Sequence, residues 1–405
     1  MPIPDVTVIL GAYEAMPYLI RCLESVESQS IGAHRMEIVA VDDGSTDGTG
    51  EFLEEFAARS AVATTVVRQA NSGGPSGPRN VGLGMARGRY VFFLDADDYL
   101  GQEALARMVA MADRAHTDVV LGKVVGVDRG APRSMWTTTK DRVDVYNSKV
   151  IYTLSAQKLF RRALLERLAL RFDEGLRTGE DALFTMEAYL CGAGVSVISD
   201  YTCYYLVGRD DGKHATKSGT YEWRFDSMRA MMELIHRLEP AGPKRDFLMV
   251  RPFTVGMLQQ FGPRFLKNSE RVRRHKAELA APLMDAYWND GVARRIKVAE
   301  RLRLVCVARG RADLLVDHLT YLRAETVPDL VRSPGGDRLY LGYPHFRDAS
   351  AGFRDCDFEV TVPDWHDGRR VDPPGAAAYR ASLPRRVARR MRSDLRRWRS
   401  RLSTG

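Results

Sequence analysis

The chain has 405 residues, 45% of them hydrophobic, too many for one core, so two domains plus an extension are expected. Its formal net charge of +8 is local: nine arginines and one aspartate between Pro384 and Gly405 account for all of it, and the rest of the chain sums to zero. Charge therefore argues against a nucleic-acid-binding body, and the lack of any apolar stretch near the roughly 20 residues that span a bilayer argues against a membrane helix. The opening run, MPIPDVTVIL, has no basic region and too short an apolar segment for a secretory signal. Five scattered cysteines without a CxxC pair suit reduced thiols in a cytosolic protein.

In chain order, Val6–Leu10, Met36–Val41, Ala63–Val67 and Tyr90–Leu94 are near-continuous apolar runs, as strands buried on both faces read. Between and after them lie helical faces: Leu19, Cys22, Leu23 and Val26; Phe52, Leu53 and Phe56; and Leu105, Met108, Val109 and Ala112. This alternation predicts an α/β domain with a mostly parallel sheet and a ligand site beyond the carboxyl ends of its strands. Residues 120–220 mix β-rich pieces with a helix over Leu183–Leu190, and the chain turns helical from Tyr221 to about Gly310. LYLGYPHF and DFEVTV suggest a small β-containing module, so the expected domains are 1–220, 221–311, 312–380 and a tail at 381–405.

Polar groups collect where those strands end. Asp95 and Asp97 (i, i+2) project to one side of an extended segment and Asp98 to the other. Two readings are open there, a hard divalent cation or a cap for the helix expected near Gly101, with Asp98 the better cap. VDDGSTDGT, after the second strand, pairs Asp42 with Asp43, allows a tight turn at Gly44, and offers Thr46 or Asp47 as a helix cap. NSGGPSGPRN supplies glycines for close backbone approach and Arg79 near a helix start, which suits phosphate. It lacks the Lys-Ser/Thr ending of a P-loop, and GLGMARG does not follow a strand as a dinucleotide fingerprint must.

GAYE, VAVDDGSTDGT, NSGGPSGPRNVGLGMARGRYVFFLDADD and KLFRRALLERLALRFDEGLRTGEDALF occur in the order that marks a family 2 glycosyltransferase, and over about residues 4–215 the chain resembles that family. The resemblance implies a Rossmann-like GT-A nucleotide-sugar transferase domain that moves a sugar with inversion from a UDP-sugar. It makes Asp181 the general base with Glu180 beside it, and Asp97 the metal ligand for Mn²⁺ or Mg²⁺. Tyr13, Asp43, Asn71, Arg79 and Asp95 become donor-site residues. GRDDGKHATKS is similar to the loop that closes over the diphosphate, with Arg209 a phosphate clamp and His214 a third metal ligand or a phosphate contact. The chain departs from the pattern at Gly11-Ala12, which removes any side-chain bond from those positions. The chemistry agrees: an oxocarbenium-like transfer needs a stabilised leaving group and a base on the opposite face, although Glu180 and Asp181 also fit a helix N-cap.

In the tail, Leu383, Val387, Met391, Leu395, Trp398 and Leu402 form one apolar helical stripe among arginines. This basic amphipathic helix suits an anionic membrane surface, with an oligomerising helix and a polyphosphate-attracted tail as rivals. A transferase domain, helical linker and small β module together resemble the wall teichoic acid glycosyltransferases. That architecture implies a polyol-phosphate or other envelope-glycan acceptor and self-association through the C-terminal part as a homo-oligomer; the charge, cysteine and tail readings add the expectations of no nucleic acid and of a cytoplasmic protein peripheral at the inner face of the membrane. The alternative is a catalytically silent nucleotide-sugar or polymer-binding protein.

Overall fold

Four apolar runs form β1 (Val6–Ala12), β2 (Met36–Asp42), β3 (Ala63–Arg68) and β4 (Tyr90–Asp95), paired in parallel in the order β3-β2-β1-β4. The helices between them, α1 (Tyr18–Glu27), α2 (Thr49–Arg59) and α3 (Ser76–Met85), are the crossovers a parallel sheet requires. In the computed structural model, residues 3–133, 135–209 and 219–374 are described. They divide into two units that part between Lys244 and Arg245.

Beyond β4 the sheet is mixed, where the sequence predicts mostly parallel strands. Short β5 (Tyr99–Leu100) and helix α4 (Ala104–Ala115) lead to β6 (Val119–Val127) and β7 (Lys140–Val143). Then β8 (Leu159–Arg161) inserts antiparallel between β4 and β6, followed by α5 (Arg162–Arg167), α6 (Glu180–Cys191) and the long β9 (Val195–Val207). β9 pairs parallel with β6 and antiparallel with β5 and β7, giving nine strands. It joins the two β-rich pieces read separately, with register shifts against β6 at Lys123. β3 also differs from expectation. It is the sheet's edge, and its residues are half-buried or exposed because only one neighbour covers them.

The first unit runs past the expected boundary at 220 to include α7 (Tyr221–Leu238). Phe225, Met228, Met231 and Ile235 of α7 are buried, and Ser227 Oγ donates to the Thr178 carbonyl just before α6. The methionines here are core packing.

In the second unit the expected division at 311 is absent. Val298 and Leu302 of the helix Val298–Ala308 share one apolar cluster with Leu339, Leu341, Phe358 and Val360. DFEVTV supplies the end of a helical turn, Asp355–Phe358, and one antiparallel bridge, Glu359 to Tyr340, rather than a full strand. Arg301, 1% exposed, donates to the carbonyls of Ala293, Ile296, Cys356 and Glu359, so its five N–H groups tie the helices to the β module. Arg301→Met takes the guanidinium donors from the Ile296, Cys356 and Glu359 carbonyls, while Ala293 keeps the Ile296 amide, and we expect a loss of about 3 kcal/mol. A fall in the urea midpoint of the second-unit transition, read by the far-UV signal, checks this; an unchanged midpoint would show that water replaces the guanidinium.

Candidate active site

Parallel pairing sets the site. In register, Ala12 lies opposite Asp42 and Gly11 opposite Asp95, so the loops after β1, β2 and β4 leave one edge together. The β1 loop presents Tyr13, 54% exposed, and is laced to the β2 loop: Glu14 Oε1 accepts from Thr46 N and Oγ1, and Asp47 Oδ2 from Met16 N. Thr46 therefore spends its hydroxyl on Glu14, and it is Asp47 whose Oδ1 accepts from the Thr49 amide at the start of α2.

Asp43, 3% exposed, ties this edge to the loop after β3. It accepts from Gln69 Nε2 at 2.6 Å, Ser72 Oγ at 2.9 Å and Ser72 N at 3.1 Å. The contact expected between Asp43 and a uracil ring thus meets an acceptor already holding three protein donors. Gly44 is required beside it: at φ +81° a Cβ would stand 2.8 Å from the Asn71 backbone nitrogen. The Asn71 side chain accepts from Gly73 N, fixing the loop's turn.

Arg79, in the first turns of α3 and 8% exposed, joins two of the acidic segments. Its Nη2 lies 2.7 Å from Asp95 Oδ1, its Nη1 3.3 Å from Glu180 Oε1, and its guanidinium stacks over Phe172. Burial opposes its charge, but Asp95, Glu180 and Asp181 outweigh that and hold its pKa above the ordinary value. The sequence reading makes Arg79 a phosphate contact; here both ends of its guanidinium are engaged by carboxylates of the protein. The second oxygen of Asp95 accepts from Gln157.

Glu180 and Asp181 open α6, released from the preceding loop by Gly179 at φ +82°. Burial raises the pKa of both; Asp181 adds to the rise at Glu180, while Arg79 and Lys158 restrain it at Asp181. The Asp181 carboxylate accepts from the Ala182 amide at 2.7 Å and has no side-chain partner among the described residues. A buried carboxylate whose pKa is raised and whose second oxygen has no described protein donor suits a general base.

Asp98 does not cap a helix. α4 begins later, at Ala104, with no side-chain cap, and Asp98 faces β9, accepting from Tyr204 Oη at 2.6 Å and Val207 N at 2.7 Å. Burial, with Asp95 and Asp97 close by, pushes Asp98 up to about 8. Asp97 is half-buried, and no described side chain bonds to it. Burial and then Asp95 raise its pKa, while Arg209 and Arg129 restrain it. Arg209 donates to the Glu14 carbonyl and lies over Tyr18, which brings the end of β9 to the β1 loop. His214 lies outside the described residues.

Among the described residues no three His, Cys, Asp or Glu side chains form a ready-made metal cage. Asp97 nevertheless fits a divalent ion of the Mg²⁺ type, which uses one or two carboxylates plus substrate phosphates.

Residues 7–169 match the model for glycosyl transferase family 2, and residues 222–319 match the glycosyl transferase TarS linker domain. The chain carries a family 2 glycosyltransferase domain. The poly(ribitol-phosphate) β-N-acetylglucosaminyltransferase TarS of Staphylococcus aureus is 40% identical to it over 213 residues, which are 52% of this chain and 37% of that protein. The poly(ribitol-phosphate) β-glucosyltransferase of Bacillus spizizenii is 38% identical over 210 residues, 52% of this chain and 33% of that protein. The match therefore spans little more than a third of these curated relatives. The crystal structure of S. aureus TarS 1–349 in complex with UDP-GlcNAc superposes with a TM-score of 0.75 at 29% identity, covering 84% of this chain and 97% of that one. The family 2 domain thus has the expected GT-A architecture, with the strand-end loops on the sheet edge where that fold binds its ligand.

Sequence reasoning missed Gln157, Lys158 and Tyr204. Gln157 and Lys158 sit between elements, without periodicity, and Tyr204 reads as an ordinary strand residue.

Proposed function

We propose that this chain transfers a sugar with inversion from a UDP-sugar to a hydroxyl of a polyol-phosphate polymer of the cell envelope. The observation that carries this is the pair of carboxylates with no described side-chain partner, Asp97 and Asp181, on either side of the buried Arg79 bridge between Asp95 and Glu180. One acidic group is left for the donor end of the site and one for the acceptor end. In-line displacement needs that division.

In this reading Tyr13 is the stacking face for uracil. Asp43 shapes the wall beside it by holding Ser72 and Gln69, and Asn71 keeps the turn at Gly73. Arg209 neutralises the departing diphosphate. Asp97, with His214 as a further candidate, would hold Mn²⁺ or Mg²⁺, which supplies positive charge for the leaving UDP. Asp95 serves by positioning, since both its oxygens are engaged by Arg79 and Gln157. Asp181 takes the proton from the acceptor hydroxyl as the new bond forms, and Glu180 orients the acceptor. The relatives named for poly(ribitol-phosphate) transfer support this acceptor class. They do not choose between glucose and N-acetylglucosamine, because the two named enzymes differ there.

The deciding experiment measures UDP release from a panel of UDP-sugars with polyribitol phosphate and Mn²⁺ or Mg²⁺. Turnover that requires the polymer supports the proposal; UDP binding without turnover for every pair overturns it in favour of a silent binding protein. We further expect chelation with EDTA, or Asp97→Asn, to lower kcat about a hundredfold or more, with activity returning on adding Mn²⁺ to the chelated wild type alone. An EDTA-insensitive enzyme would rule out the metal.

The membrane-surface role rests on the tail, 381–405, which lies outside the described residues. No helix among the described residues is long and apolar enough to cross a membrane. Cytoplasmic action at the inner face of the membrane remains part of the proposal.

A further inference from the structure

Lys158 has no place in the mechanism above, yet it is among the most enclosed side chains in the molecule, at 0% exposure. It follows a tight turn, with its own amide bonded to the Ala156 carbonyl, and immediately precedes β8. Its ammonium donates to the carbonyl of Ser155 and approaches Ser155 Oγ at 3.4 Å, both neutral acceptors. That carbonyl also receives Thr185 Oγ1 of α6, which couples the turn carrying the lysine to the helix carrying Asp181. No described carboxylate forms an ion pair with Lys158, and Asp181 is the charged group that acts on it. A buried ammonium without a paired carboxylate is costly, and a methionine would fill the same space without that cost.

We propose that Lys158 is a positioning residue for the transfer reaction: its buried ammonium, held at the Ser155 carbonyl that α6 also bonds, adds to Arg79 the positive charge that keeps Asp181 anionic and ready to accept the proton of the acceptor hydroxyl. The inference rests on the reading of Asp181 as the general base. The charged groups facing Asp181 are Glu180 on α6, Arg79 on α3, Asp95 on β4 and Lys158 before β8. Two are carboxylates that disfavour its ionisation. Arg79 acts on Asp181 as well but is shared with Asp95 and Glu180, whereas Lys158 forms no ion pair with a described carboxylate, so its charge adds to that of Arg79 at Asp181. Burial lowers the lysine itself to about 7, with Asp181 pulling the other way. It is therefore charged below neutral pH, the side on which a carboxyl whose pKa burial has raised gains from a nearby cation.

The test is the pH profile of kcat/KM for polymer-dependent UDP release by the full chain. Lys158→Gln keeps a polar group for Ser155 and removes the charge; Lys158→Met removes both. The loss of a nearby opposite charge raises a carboxylate's pKa, so both variants should move the acid limb up by about one pH unit. Turnover would fall roughly tenfold at the acid end and much less in the alkaline range, with UDP affinity unchanged. In an Asp181→Asn background, Lys158→Gln should add no further loss to the residual rate. An unshifted acid limb, or a uniform loss at every pH, assigns Lys158 a structural role and overturns the proposal. If the lysine variants fail to fold, ¹³C NMR of lysine-labelled wild type replaces them. One lysine should titrate near neutrality and move to lower pH in Asp181→Asn; a lysine that does not respond to Asp181 overturns the proposal. Failure of the base reading is separable, because Asp181→Asn would then itself remain active.

Discussion

Asp181→Asn lowers the rate of polymer-dependent UDP release by about a thousandfold and leaves UDP affinity within about twofold. The rate falls because an amide cannot take the acceptor's proton, and a positioned base contributes ~10²–10⁴ to such a step. Donor binding survives because Asp181 is bonded to the Ala182 amide at the start of α6, while the loops after β1 and β2 that present Tyr13 and hold Asp43 are laced to one another. Stability moves the other way. Burial raises the carboxyl's pKa above its unfolded value, so ionising it costs the folded state more as pH rises through the unfolded and then the folded pKa. An amide escapes that cost, so near neutral pH the variant should melt no lower than wild type. A dead but stable variant with intact UDP binding is the signature of a base strained for function. Normal turnover would remove Asp181 from the chemistry.

The second large effect is Arg79→Met. One guanidinium serves Asp95 and Glu180, and its removal leaves two carboxylates close to Asp181 without their shared cation. Breaking a buried pair costs ~3–5 kcal/mol; the Asp95 side chain is 30% exposed, so about 3 kcal/mol is the figure to test. In a unit of this size that is a fall in melting temperature of roughly 10 °C. Arg79→Lys should recover only part of it, since an ammonium cannot reach both partners as a planar fork does. Activity should suffer too: without Arg79 the Glu180 and Asp181 carboxyls rise further, and the acid limb moves up in pH. A melting point within two degrees of wild type would mean that water or another cation takes over the bridge.

Much of this fold is legible locally. Val6–Leu10, Met36–Val41 and Tyr90–Leu94 read as two-sided buried strands because parallel strands must be covered on both faces, and the structure places them in the sheet interior. Ala63–Val67 reads the same way yet forms the edge, because apolar content alone does not record how many neighbours a strand has. The direction of β8 escapes for a related reason: three residues carry no sign of whether they pair parallel or antiparallel, and pairing with both β4 and β6 decides it.

The candidate site divides along the same line. The sequence by itself determined which segments end in carboxylates and that Gly44 could turn the chain beside Asp43, while the family resemblance led to the expectation that Asp97 and Asp181 share one site. The tertiary structure alone decided what each carboxylate meets. Asp98 found Tyr204, 106 positions away, rather than the helix that follows it; Arg79 found Glu180, 101 positions away, rather than an open phosphate site; and the Ser155 carbonyl that Lys158 bonds found Thr185 of α6, 30 positions away. Local pattern reports periodicity and turn chemistry, which depend on near neighbours. A charge's partner is set by which strand ends and helix starts the sheet brings together, and by the need of every buried polar group for a partner wherever along the chain it lies.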